Sequence, residues 1–178
     1  MYNLILASYL NIFGIYFADI NKIKIDNIIK PALITKNNNK INGVIMNYES
    51  WNLLSPNLKN FSYNIILTYN ISLLLKKNNF DNVYFTSNME EAVIKFNNNK
   101  NIESVYVVGD NIIYNIIQRN IFLKNNIKYI YLYIFKKKYH YNDYKYINIK
   151  ETLKYFIINL NNSFFHNDYV KLIAHKKY

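Results

Sequence analysis

The chain has 178 residues, 51% of them apolar, and 22 Lys and Arg against 11 Asp and Glu, a formal net charge of +11. That length suits a single domain spanning 1–178 with a sizeable core, and the apolar share excludes a disordered chain. With no cysteine, disulfides, thiolate nucleophiles and cysteine-based zinc or iron–sulfur sites are excluded as well.

His140, His166 and His175 lie far apart without ligand spacing, so no metal site is expected. The basic charge comes from 21 lysines and one arginine, Arg119, alongside heavy use of Asn, Ile and Tyr and only 3 glycines. An AT-rich coding sequence produces that joint bias, so part of the basicity reflects codon use. A charge of this size favours anionic partners in general. Lysine without the arginine fork argues against base-specific reading of nucleic acid.

In chain order, residues 1–18 carry no charge. They lack the basic n-region and cleavage motif of a signal peptide, and read as a buried strand over about 2–8 with a loop through Gly14. Residues 19–42 are polar and irregular. Pro31 is placed to start a helix over Ala32–Lys36, since proline is tolerated in a first turn. Gly43–Met46 reads as a short buried strand, Tyr48–Leu54 as a helix halted near Ser55-Pro56, and Tyr63–Thr68 as a second strand. Ser72–Lys77 is read as helix or turn, Val83–Thr86 as a strand. Met89–Phe96 reads as a helix capped by Ser87 or Asn88, with two acids in its first turn.

Val105–Val108 is a β-branched and aromatic run, hence a buried strand, and Gly109 ends it. Asp110 then stands at a helix N-cap, with Ile112, Ile113, Ile116 and Ile117 on one helical face. Strand, glycine and helix N-terminus in that order form a common phosphate cradle. Lys128–Phe135 is strongly β-prone, Lys136–Tyr144 is a charged loop, and Leu153–Leu160 and Tyr169–His175 read as closing antiparallel strands. These elements imply an α/β fold with a central mixed, mostly parallel sheet, helices on its faces and an antiparallel C-terminal edge.

The order of segments resembles the dihydrofolate reductase family along the whole chain. The matching residues are Leu4-Ile5 with Ala7, Gly14, and Val44-Ile45-Met46 ahead of Trp51. They continue through Asn64-Ile65-Ile66-Leu67-Thr68, Glu90-Glu91-Ala92, Val107-Val108-Gly109 with Tyr114, and Tyr129–Tyr133. The resemblance implies NADPH as cofactor, contacted around Ala7, Gly14, Ser50, Thr68, Gly109, Asp110 and Tyr114, and dihydrofolate or a related pterin as substrate.

It also implies where the chemistry would sit. The family's buried acid falls on Asp26 in one register and on the neutral Asn27 in the other, and both registers stay open. Tyr133 stands where the family has a strand threonine. At the substrate mouth Ser62 replaces an arginine, with Leu58 and Lys59 beside it and Lys59 available as a point charge. Tyr48 replaces the arginine for the cofactor's 2′-phosphate, and Glu49 adds charge of the wrong sign. Asp110 replaces a glycine at the pyrophosphate, where its carboxylate caps the helix and repels phosphate.

Two functions follow from this mixture of kept scaffold and altered site. One is NADPH-dependent reduction of dihydrofolate to tetrahydrofolate, with lysines standing in for the lost arginines; a related pterin-like or pyrimidine substrate is a variant of it. The other is a non-catalytic protein of the same fold, working as a binding or structural part of an assembly with an acidic protein or nucleic acid. An intracellular, cytoplasmic location is expected for a cysteine-free chain without a signal, and no membrane partner.

Overall fold

The computed structural model describes residues 2–11, 14–17, 25–33, 35, 37–71, 81–109, 111–135, 153–166 and 169–177. In chain order the elements are β1 (Tyr2–Asn11), β2 (Gly14–Phe17), α1 (Ile25–Leu33), β3 (Ile41–Asn47), α2 (Tyr48–Leu53), α3 (Pro56–Lys59) and β4 (Ser62–Leu67). They continue with β5 (Val83–Thr86), α4 (Met89–Asn97), β6 (Ile102–Gly109), α5 (Asn111–Arg119), α6 (Ile121–Asn126) and β7 (Ile127–Phe135). β8 (Phe156–Ile158), a 3-10 turn (Leu160–Asn162), β9 (Phe164–Phe165) and β10 (Tyr169–Lys176) close the chain. The architecture is α/β, with a mixed, mostly parallel sheet and an antiparallel C-terminal edge.

The chain divides into two compact units, one over 25–108 and one formed by 2–24 with 109–178. In the first unit the strands run β5-β4-β3-β6, all parallel. Parallel strands buried on both faces call for unbroken apolar runs, and Val44–Met46, Ile65–Ile66 and Val107 are essentially inaccessible to solvent. α1 packs on β3 through Ile25, Ile28, Ile29 and Ala32, a stripe with i, i+3, i+4, i+7 spacing. α4 uses the same spacing in Met89, Ala92, Val93 and Phe96, and Asn88 caps it by accepting the Glu90 N–H at 2.8 Å.

Opposite the Phe96 ring lies Gly43. A Cβ on Gly43 would stand 2.2 Å from Cε1 of that ring, so this strand position admits only hydrogen. The ring is held in turn edge-to-face against Tyr63, with centroids 5.8 Å apart.

The second unit has β1 and β7 parallel, with Ala7 in register with Tyr133. β7 pairs antiparallel with β10, which also carries the short strands β8 and β9, and β2 folds back on β1 as a hairpin. α5 buries Ile113, Tyr114 and Ile117, and α6 buries Leu123.

Several expectations are corrected. Residues 25–33 form a helix where an irregular stretch was expected, and Pro31 lies within it instead of at its start. The buried stripe from Ile25 to Ala32 outweighs the loss of one backbone hydrogen bond at proline. Gly14 opens a strand paired to β1 at Asn11 rather than lying in a loop, and β1 runs three residues past 8. Pro56 does not only halt α2; it occupies the first turn of α3. α6 was not anticipated, and the strand expected over Leu153–Leu160 is confined to Phe156–Ile158. The expectations on 72–77 and 136–144 lie outside the described residues.

Glu91 in the first turn of α4 carries a pH prediction. Hydrogen bonds from the Thr86 and Tyr84 hydroxyls hold its carboxylate below the usual range. A depressed folded value means that the stabilisation is present above the unfolded value and is lost as pH falls through the folded one. Side-chain NMR should therefore show Glu91 titrating below an ordinary glutamate, and Glu91→Gln should flatten the acid limb of the stability curve. Titration at or above the ordinary value would contradict this.

Candidate functional site

Asp26 and Asn27, side by side in the first turn of α1, differ in their surroundings. Asn27 is exposed, whereas Asp26 is half-buried and its Oδ1 accepts the Ser55 N–H at 3.1 Å. That bond ties α1 to the α2–α3 junction and satisfies the amide of Ser55, the N-cap of α3.

At the start of α2 the Asn47 side chain acts as N-cap. Its Oδ1 accepts the Ser50 N–H at 3.0 Å and also the Ser50 hydroxyl, which donates in a short bond. Ser50 is completely buried, so the hydroxyl singled out for the cofactor points into this cap. Glu49, in the same turn, is exposed.

Lys59 ends α3 half-buried, with Nζ 4.8 Å from the centre of the buried Trp51 ring. Burial lowers its pKa. Leu58 beside it is half-buried. Ser62 is 2% exposed, and its hydroxyl donates to Asn64 Oδ1 at 2.9 Å. Asn64 Nδ2 donates in turn to the Lys59 carbonyl at 3.0 Å and the Ser62 carbonyl at 2.9 Å. Asn82 Nδ2 donates to the same two carbonyls at 2.7 and 2.6 Å. Two carboxamides thus lock the α3–β4 corner. Thr68, just past β4, is half-buried; its N–H bonds the Thr86 carbonyl at 2.9 Å and its hydroxyl accepts the Asn70 N–H at 3.2 Å.

In the second unit Tyr133 is 2% exposed, next to Ala7 in the β1–β7 register. Burial, then Tyr169 and Tyr131, raise its pKa well above the usual phenol value, so it stays protonated. Tyr114 is buried on α5, Gly109 ends β6, and Gly14 begins β2. Asp110 lies outside the described residues.

The structure therefore groups Asp26, Ser50, Leu58, Lys59, Ser62 and Thr68 in the first unit, and Ala7, Gly14, Tyr114 and Tyr133 in the second. Sequence reasoning missed Asn47, Ser55, Asn64 and Asn82. For Asn47 a signal was present: an asparagine at a strand–helix junction, three residues ahead of a serine, is a capping pattern. Asn64 and Asn82 are brought together only by the pairing of β4 with β5 and left no local signal. Among the described residues no group of three or more His, Asp or Glu could hold a metal, and no helix is long and apolar enough to cross a membrane.

Comparison with solved structures finds Schistosoma mansoni dihydrofolate reductase, at a TM-score of 0.68 and 15% identity, over 99% of this chain and 98% of that one. The fold is dihydrofolate reductase-like. At that identity the likeness speaks for the fold alone. No protein-family model matches the sequence, and a search of curated proteins returns no match. Tyr48 and Glu49 lie on α2 and Ser62 on β4, next to buried apolar residues of the first unit.

Proposed function

We propose that this chain is a dihydrofolate reductase-like protein that has lost NADPH-dependent turnover and serves, inside the cell, as a binding component of a larger assembly. One observation carries the reading: the Asn47 carboxamide takes both the N–H and the hydroxyl of Ser50. A phosphate group at that turn needs those same donors, and meets Tyr48 in place of an arginine with the Glu49 carboxylate beside it. The residues present do not fit NADPH there. Asp110 points the same way by its chemistry, since a carboxylate at a phosphate cradle repels a diphosphate.

A second reading, active reduction of dihydrofolate, is favoured by Asp26, which keeps a half-buried carboxylate on α1. Loss of NADPH absorbance with dihydrofolate separates the two. The expected result is no rate above the blank, identical in Asp26→Asn. That variant should lose about 1 kcal/mol of stability, because the charged acceptor of the Ser55 N–H is gone. A measurable rate that Asp26→Asn abolishes would overturn the binding-component reading in favour of the reductase.

A further inference from the structure

The charge is divided unevenly. Residues 2–24 with 109–178 hold fourteen Lys and Arg against five Asp and Glu, while 25–108 hold eight against six. A codon bias toward lysine acts on the whole chain and does not by itself produce that contrast.

Antiparallel pairing puts alternate residues of β7, β10 and β9 on one sheet face. Tyr129 stands opposite His175, Tyr133 opposite Lys171, and Lys171 opposite Phe164. Rings follow one another along that face. Tyr129 and Tyr131 have centroids 6.4 Å apart, Tyr133 and Tyr169 5.3 Å, and His166 stacks on Tyr169 at 4.8 Å. Lys171 lies among them, its Nζ 5.1 Å from the centre of Tyr131 and 5.5 Å from that of Tyr133. Both ends of the row are open, Tyr129 being 36% exposed and Phe164 54%. At the Tyr129 end a cleft of about 420 Å³ is lined by Lys128, His175, Lys176 and Lys177 together with Asn159 and Asn162.

We propose that this face binds single-stranded nucleic acid, with bases laid on the open tyrosine and phenylalanine rings and phosphates held in the lysine-lined cleft. The cleft favours an anionic ligand, because Lys128, Lys176 and Lys177 line it with no carboxylate among its lining residues. The ligand presents flat rings to the open Tyr129 and Phe164 side chains at the two ends of the row, with Lys171 between them. Unpaired bases meet both conditions; a duplex hides its ring faces. Lysines act as point charges, so binding follows phosphate and stacking and is indifferent to base sequence. The inference names a partner class for the binding-component reading and rests on it.

The test uses the full chain and a fluorescein-labelled uridine 12-mer, followed by anisotropy at about 50 and 200 mM salt. Micromolar or tighter binding is expected at the lower salt, weakened at least about tenfold at the higher. Lys128→Gln and Lys177→Gln should each flatten the salt dependence by about 0.7 in log–log slope, as single-strand counterion release requires. Tyr129→Ala should weaken binding about tenfold by removing a stacking platform. These positions are exposed, and circular dichroism checks that the variants fold. No binding up to 100 µM protein, equal competition by a duplex of the same length, or an unchanged affinity in Tyr129→Ala would each overturn the proposal. So would full displacement by a glutamate 12-mer at equal concentration, which would point to an acidic protein instead. An NADPH titration on the same sample decides the binding-component reading separately, so failure of one is not mistaken for failure of the other.

Discussion

Gly43→Ala is expected to destabilise the protein by about 3 kcal/mol and to lower Tm by about 10 °C, the upper end of what overpacking one methyl group costs. The added Cβ would sit 2.2 Å from Cε1 and 2.7 Å from Cδ1 of Phe96. That ring is 3% exposed and wedged against Tyr63, so it has little room to withdraw. β3 cannot withdraw either, being paired with β4 on one side and β6 on the other. Phe96→Leu alone should cost less than Gly43→Ala, and combined with it should recover part of the loss. Thermal unfolding of the two single variants and the double variant checks this. A Gly43→Ala protein within 0.5 kcal/mol of the parent would show that α4 does not press on β3 as described.

Asn64→Leu should cost about 2–3 kcal/mol, since a buried carboxamide that satisfies three groups is replaced by a side chain that satisfies none. The groups are the Ser62 hydroxyl and the carbonyls of Lys59 and Ser62. Asn82→Ala should cost about 1 kcal/mol, because Asn64 still donates to both carbonyls. Together the two changes should cost more than their sum by about 1 kcal/mol, as both carbonyls then lose their last side-chain donor. Additive losses in denaturant unfolding would mean that the two asparagines do not share these acceptors.

The particular elements explain what was legible in the sequence. Val44–Met46 in β3, Ile65–Leu67 in β4 and Val105–Val108 in β6 are unbroken apolar runs because both faces are covered, and such runs survive even strong codon bias. The order of those runs was enough to suggest the dihydrofolate reductase-like fold. Helix α1 was misplaced because Pro31 is the strongest local signal in its stretch, while the apolar stripe that overrides it reads only against β3. Gly14 was read as loop for the same reason: a glycine marks a break locally, and only its pairing with Asn11 makes it a strand end. In the candidate site, residue identities were legible and most of their hydrogen bonds were not. The Asn47 cap on Ser50 left a local pattern at the strand–helix junction, whereas nothing local says that Asp26 answers the amide of Ser55 across 29 residues.

The most direct measurement is an NADPH titration of the folded chain, following the fluorescence of its one tryptophan, Trp51, beside a matched titration of Asn47→Gly. Removing the Asn47 carboxamide frees the Ser50 N–H and hydroxyl, and a glycine at an N-cap costs only a few tenths of a kcal/mol, so the variant should fold. The parent is expected to show no saturation up to about 1 mM NADPH, a ceiling of about 4 kcal/mol on its binding, and the variant a measurable gain. Micromolar saturation by the parent would contradict the loss of the cofactor site and return the chain to the reductases.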